Sequence, residues 1–221
     1  MPTIEFGLML AKPNHAVMDT TSPEGHILQQ AWSAVTRYPT GPHWSYGGVE
    51  PGDASALWGF FAFDGVAHHE KFARMHGAEA VKNLPTILNR QEFQKHVTLE
   101  ADLRPVLQAP VTEILLAYFP SSTSEAEKAA ISAQAEHIIE AGLRTCADAR
   151  DACCGWSVES DFPVLGRNED VGSVLAVFVG WNSIDAAELY WEENNQGQQF
   201  EDIMQIKGAL EMISYYRDFY L

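Results

Sequence analysis

Residues Trp58–Phe72, WGFFAFDGVAHHEKF, decide the fold, because they can be laid without a gap on Ala176–Tyr190, AVFVGWNSIDAAELY. Each stretch reads as a strand, a polar turn and the start of a helix. Phe63-Asp64-Gly65-Val66 falls on Trp181-Asn182-Ser183-Ile184, Glu70 on Glu188 and Phe72 on Tyr190. Upstream, Glu5 of Thr3-Ile4-Glu5-Phe6 falls on Glu113, and His43-Trp44-Ser45 on Gly155-Trp156-Ser157. In an internal repeat each copy is one folding unit, and the copies pack together. The repeat divides the 221 residues into units 1–107 and 108–221. It also supplies an internal control: a chemical group present in one copy and absent from the other is not needed by the fold of both.

Working outward, Thr3–Ala11 is an apolar run bounded by Lys12-Pro13-Asn14 and reads as a buried strand. Ser22-Pro23-Glu24 starts a helix, with Ser as cap and Pro in the first position. That helix carries Ile27, Leu28, Ala31, Trp32 and Val35 as an apolar stripe and stops before Pro39-Thr40-Gly41-Pro42. Trp44–Glu50 and Ala56–Phe63 read as strands. Val66–His76 begins a helix, a further helix is expected over about Glu79–Glu92, interrupted near Pro85, and Val97–Leu103 is the fourth strand. The second copy repeats the order. It has strands at Val111–Phe119, Trp156–Ser160, Ser173–Trp181 and Tyr215–Tyr220, and helices at Ser124–Cys146, Ile184–Glu193 and Gln199–Met212. The order β-α-β-β-α-β in each half is the ferredoxin-like unit. One such sheet has helices on one face only, so its other face needs cover, and the second copy can supply it. The expected fold class is therefore α+β: two ferredoxin-like repeats packed sheet to sheet as a pseudo-dimeric α+β barrel.

Composition narrows the partners. Hydrophobic residues make up 46% of the chain, as in an ordinary globular protein, and the formal charge is −16. That charge argues against nucleic acid, whose phosphates are bound by clustered Lys and Arg, and against anionic membrane surfaces. The three cysteines, Cys146 and the vicinal pair Cys153-Cys154, do not form a disulfide framework and suit a reducing compartment. The first residues show no basic leader with an apolar core, and no apolar run reaches the roughly 20 residues that span a bilayer. These features predict a cytoplasmic protein. Exposed sheet edges or helices leave room for a homodimer.

This order of elements, with Trp181-Asn182-Ser183-Ile184-Asp185-Ala186 at the end of a third strand and a His-bearing helix start, resembles the dimeric α+β barrel superfamily. That group includes antibiotic-biosynthesis monooxygenase-like and stress-responsive A/B-barrel proteins, and this chain looks like a tandem, fused version. The resemblance implies an apolar pocket between sheet and helices in each unit, with one or two His, Tyr, Asp or Trp side chains pointing in. It implies chemistry of the kinds found in that group: cofactor-free oxygenases of aromatic polyketides, polyketide cyclases, isomerases and haem-dependent enzymes. Ala67-His68-His69-Glu70-Lys71-Phe72 resembles the A-H-x-x-F motif of barrel oxygenases. Met75-His76-Gly77-Ala78 resembles the His of plant-type polyketide cyclases, although the second His of H-P-x-H is missing, Glu79 following Ala78.

All but one of the eight histidines lie in the first copy or its leading loops; His137 is the exception. His68 falls on Ala186, His69 on Ala187 and His76 on Asn194, so the unit folds without these imidazoles. This biases a functional pocket toward the N-terminal half. Imidazole titrates near neutrality and can take a proton from an acidic C–H or phenol and return it. His76, His69 and His68 are the expected acid/base residues, with Tyr46 polarising a carbonyl as an oxyanion develops. Trp58, Trp44, Trp32, Phe60 and Phe61 are expected as flat walls for a polyketide-like or aromatic substrate, with His43 beside them. His96 falls on Ser214 and reads as peripheral. Local spacing shows no metal site, P-loop, dinucleotide fingerprint or nucleophile elbow. The sequence thus predicts a cofactor-free enzyme acting on an apolar small molecule by cyclisation, isomerisation, elimination or oxygenation. A non-catalytic ligand-binding or stress-associated protein of the same fold is the alternative.

Overall fold

The computed structural model of the chain describes residues 2–167, 170–193 and 211–217, the last as backbone. The contacts divide it into two compact units, one ending at His96 and the other beginning at Val97.

The first unit runs β1 (Thr3–Ala11), α1 (Pro23–Arg37), β2 (Ser45–Glu50), β3 (Asp53–Phe63), α2 (Val66–Phe72), α3 (Ala78–Ala80), α4 (Leu84–Ile87) and most of β4 (Leu88–Leu99). A π-helical turn, Ala73–Gly77, joins α2 to α3. Strand order is β2-β3-β1-β4, with β1–β3 and β2–β3 antiparallel. Helix α1 begins where the sequence indicates: the Ser22 side chain accepts from the Gly25 N–H at 2.9 Å and Pro23 takes the first position.

The second unit takes in the end of β4, followed by α5 (Arg104–Leu107), β5 (Val111–Pro120), α6 (Glu125–Ala141), β6 (Ala149–Ser157), the two-residue β7 (Phe162–Pro163), β8 (Val171–Trp181), α7 (Ile184–Glu193) and β9 (Glu211–Arg217). The main strand order is β6-β8-β5-β9, and Val97–Leu99 of β4 pair with Gly155–Ser157 of β6. The whole is a mixed α+β fold with its long strands paired antiparallel.

The elements differ from the sequence reading in both units; β6, for example, covers Ala149–Ser157 rather than Trp156–Ser160, and α2 stops at Phe72 rather than continuing to His76. No long helix follows Pro85; α4 is a single turn, and β4 begins at Leu88 rather than Val97. Residues 89–92 favour helix by propensity, yet pairing at the sheet overrides that weak preference. In the second unit the final strand begins at Glu211 rather than Tyr215, and the part of the expected strand over 218–220 lies outside the described residues. The expected helix Gln199–Met212 lies outside the described residues up to 210, and Glu211 and Met212 are in the strand.

Helix α6 closes its N-terminus reciprocally. The Ser124 hydroxyl accepts from the Glu127 N–H at 3.3 Å, and the Glu127 carboxylate accepts from the Ser124 N–H at 2.8 Å. Replacing Ser124 by Ala is expected to lower stability by about 1 kcal/mol, read as a lower urea midpoint. The three cysteines carry free thiols. Burial, reinforced by the neighbouring Cys154, pushes the Cys153 thiol far up, and burial pushes Cys154 to about 12. Both therefore stay protonated and unreactive across the neutral range. Alkylation by iodoacetamide at pH near 8 is expected to spare Cys153 and Cys154 in the folded chain and to reach them after denaturant is added, as peptide mass spectrometry will show.

Candidate functional site

Successive strand residues face opposite sides of a sheet, so odd- and even-numbered positions of β1 and β3 do different work. Glu5, Gly7 and Met9 of β1 and Gly59, Phe61 and Phe63 of β3 line a cavity of about 580 Å³. The even positions Phe6, Trp58 and Phe60 are fully buried on the other face, with Phe6 and Phe60 stacked at 5.8 Å. The helical side of the cavity is supplied by Trp32 and Val35 of α1, His69 and Phe72 of α2, and Val81 and Leu84.

Three glycines open the space. Gly47 stands opposite Gly59, and Gly59 opposite Gly7, a row across three strands. A Cβ on Gly47 would sit 2.7 Å from the Trp32 ring, and one on Gly59 3.3 Å from it. The indole therefore lies over the glycine row, 5.5 Å from Phe61 between ring centres. Its Nε1 is buried and has no hydrogen-bond partner among the described residues.

At one end of the cavity three titratable side chains meet. Glu5 and His96 are each 7% exposed. His69 Nε2 lies 3.0 Å from Glu5 Oε2, and His69 Nδ1 lies 2.9 Å from His96 Nε2. Gln94 donates its amide N–H to Glu5 Oε1. The network assigns the protons. An ionised carboxylate only accepts, so His69 donates from Nε2, and its Nδ1 must then accept from His96 Nε2–H. Both nitrogens of His69 are thereby engaged, whereas Glu5 keeps spare lone pairs beside the cavity.

The second unit treats the matching carboxylate differently. Glu113, 1% exposed, accepts at Oε2 from the indole N–H of Trp181 (2.9 Å) and of Trp191 (3.0 Å). Leu115 and Val177 stand where the first unit has Gly7 and Gly59, and they belong to a buried core with Val179, Trp181 and Tyr190. Here the space beside the carboxylate is filled, and its partners are indoles that do not titrate.

The expected site residues separate accordingly. Of the four expected catalytic residues, His76, His69, His68 and Tyr46, only His69 lines the cavity. His68, next to it, necessarily projects elsewhere on the helix: its Nε2 lies 3.0 Å from the Thr40 carbonyl and its Nδ1 3.2 Å from Asp64. His76 stacks on Tyr38 with ring centres 3.9 Å apart and does not line the cavity. The π-helical turn between His69 and His76 breaks the seven-residue alignment that would have put both on one face. Tyr46 is cross-strand partner to Phe60 and shares its face, away from the cavity, edge-on to Trp44. Trp58, Phe60, Trp44 and His43 are not cavity walls; Trp32 and Phe61 are. His43 is exposed and pairs with Asp64 at 2.8 Å, and this hydrogen bond is the main cause holding the Asp64 carboxyl below its usual range. His96, read as peripheral, stands inside the network. Glu5 and Gln94 were missed as site residues. The available signal was a carboxylate in the middle of the apolar strand Thr3–Ala11, which needs a buried partner.

No protein-family model matches the sequence, and no curated protein matches it. Solved structures do match the fold. An anthrone oxidase-like protein superposes with a TM-score of 0.67 at 11% identity, covering 100% of this chain and 92% of that one. A protein named as a candidate monooxygenase from Lactobacillus acidophilus NCFM gives 0.57 at 9%, covering 99% and 93%. A chlorite dismutase variant from Candidatus Nitrospira defluvii gives 0.57 at 8%, covering 100% and 92%. No helix among the described residues is long and apolar enough to cross a membrane.

The cavity depends on its glycines, which gives a direct test. Gly59→Val places in the first unit the residue found at the matching position of the second. The chain is expected to remain folded by circular dichroism while affinity for a flat apolar fluorescent probe falls about tenfold or more, since overpacking of this size costs about 1–3 kcal/mol. Structurally, the chain shares its mixed α+β fold with the anthrone oxidase-like protein, the candidate monooxygenase and the chlorite dismutase variant.

Proposed function

We propose that the chain is an oxygen-using small-molecule enzyme whose working half is the first unit. Its substrate is an apolar, planar aromatic compound of polyketide type bearing an acidic C–H or phenol. The carrying observation is a buried carboxylate with spare lone pairs, fixed by His69 and Gln94 at the edge of an apolar cavity. The Trp32 ring, packed on the glycine row, forms with Phe61 and Phe72 a flat apolar wall of the cavity, against which an aromatic ring system can stack.

In this reading Glu5 takes the substrate proton. His69 holds the carboxylate in place through Nε2–H and is held in that tautomer by His96. The substrate anion, sheltered among Trp32, Phe61 and Phe72, is then oxidised by dioxygen. The names borne by fold neighbours, an anthrone oxidase-like protein and candidate monooxygenases, favour this outcome over a redox-neutral one. The reading also takes the two units as copies of one ancestor. In support, Glu5 pairs across the sheet with Phe61 and Glu113 with Val179, the position on which Phe61 falls in the sequence repeat. The second copy, with its slot filled, then serves as scaffold.

The test is oxygen uptake and product formation with anthrone- and naphthol-type compounds. Glu5→Gln is expected to lower kcat by about 10²–10⁴, and His69→Ala to lower it substantially. His76→Ala is expected to stay within a few-fold of the parent. Equal turnover by the parent and Glu5→Gln, or ligand binding without turnover by any form, would overturn the catalytic reading.

A further inference from the structure

The geometry points to a binding site for a first-row divalent transition-metal ion formed by Glu5, His69 and His96. One ligand atom from each lies within 4.8 Å of the others. One of the contacts, between the two imidazoles, is already close to what shared coordination needs, while Glu5 bonds the opposite nitrogen of His69. His69 Nδ1 is 2.9 Å from His96 Nε2, and His69 Nε2 is 3.0 Å from Glu5 Oε2. Ligands about 2.0–2.2 Å from an ion at a tetrahedral angle are about 3.3 Å apart, so an opening of a few tenths of an ångström admits the ion between the two imidazoles, and Glu5, within 4.8 Å, reaches it by rotating its side chain. The ion takes the place of the proton between the two imidazoles, and Glu5 exchanges its bond to His69 Nε2–H for a bond to the ion.

The donor set selects the metal. Two imidazoles and one carboxylate suit zinc, iron(II) and cobalt(II); they are poor for calcium and magnesium, which take oxygen ligands. The site also has a supporting contact, Gln94 on the second oxygen of Glu5, which orients the carboxylate. Three protein ligands leave coordination positions open, and the cavity lined by Glu5 and His69 adjoins them. Such an arrangement is that of an accessible centre rather than a closed structural one. The three ligands come from β1, α2 and β4, so their spacing in sequence carries no metal signature.

A second group, His43, Asp64 and His68, also brings ligand atoms within 4.8 Å of one another, but Asp64 is 75% exposed and His43 53%. It provides the control. This inference concerns binding alone and stands apart from the oxygenase reading: a chain that binds metal without oxidising any aromatic compound satisfies one and not the other.

The experiment is calorimetric titration of the chelator-treated chain with Zn(II), and Co(II) titration followed by visible absorption. The expected result is one ion per chain at about micromolar Kd or tighter, with the intense d–d bands of low-coordinate Co(II). Glu5→Gln and His96→Gln are expected to weaken binding by more than about tenfold, and His43→Ala to leave it unchanged. Because Glu5→Gln can disturb folding, the His43→Ala chain loaded with Cu(II) gives an independent reading: pulsed EPR should show two coordinated imidazoles. Absence of binding, binding lost in His43→Ala but kept in His96→Gln, or fewer than two imidazoles in the EPR spectrum would overturn the assignment.

Discussion

A carboxylate in the middle of an apolar strand sets the terms for the first unit. Leaving Glu5 buried and unpaired would cost several kcal/mol. Its partners therefore shape what surrounds it: α2 must present His69, and β4 must present Gln94. His96, two residues beyond Gln94 on β4, then meets the far nitrogen of His69. One buried charge thus couples a strand, a helix and a second strand, and the same coupling sets that charge beside open space.

The second unit shows that this solution is not dictated by the fold. Glu113 is more deeply buried than Glu5, yet two indole N–H groups satisfy it. Indoles donate and do not titrate near neutrality, so the group is structural there. Leu115 and Val177 lie in the buried core of the second unit, whereas at Gly59 the missing side chain lets Trp32 and Phe61 approach the backbone. The contrast lies in a few side chains at positions that the sequence alignment pairs or that surround the two carboxylates: glycine against leucine and valine, imidazole against indole. Protein interiors are close-packed, so a persistent apolar hollow beside a polar cluster is unusual and favours a ligand site.

Much of this was legible in the chain. The order of elements followed from apolar periodicity and turn residues, and the cap of α1 from Ser22-Pro23. The comparison of copies directed attention to the first unit and to His69. It misjudged His96, because a residue falling on Ser214 in the other copy carries no sign of what stands across from it. It overvalued His76, because the π-helical turn Ala73–Gly77 has no signature in periodicity. Tyr46, Trp58 and Phe60 are aromatic strand residues, and composition cannot tell which face of the sheet they occupy.

What the sequence determined by itself is local: where strands and helices run, that the middle of β1 holds a charge requiring a partner, and that the imidazoles gather in one half. Such properties depend on neighbours a few residues apart, through backbone geometry and side-chain period. What only the tertiary structure decided is which odd-numbered strand residues share a hollow and which three distant side chains converge. Those outcomes depend on strand register and helix rotation, where a shift of one residue sends every side chain to the opposite face.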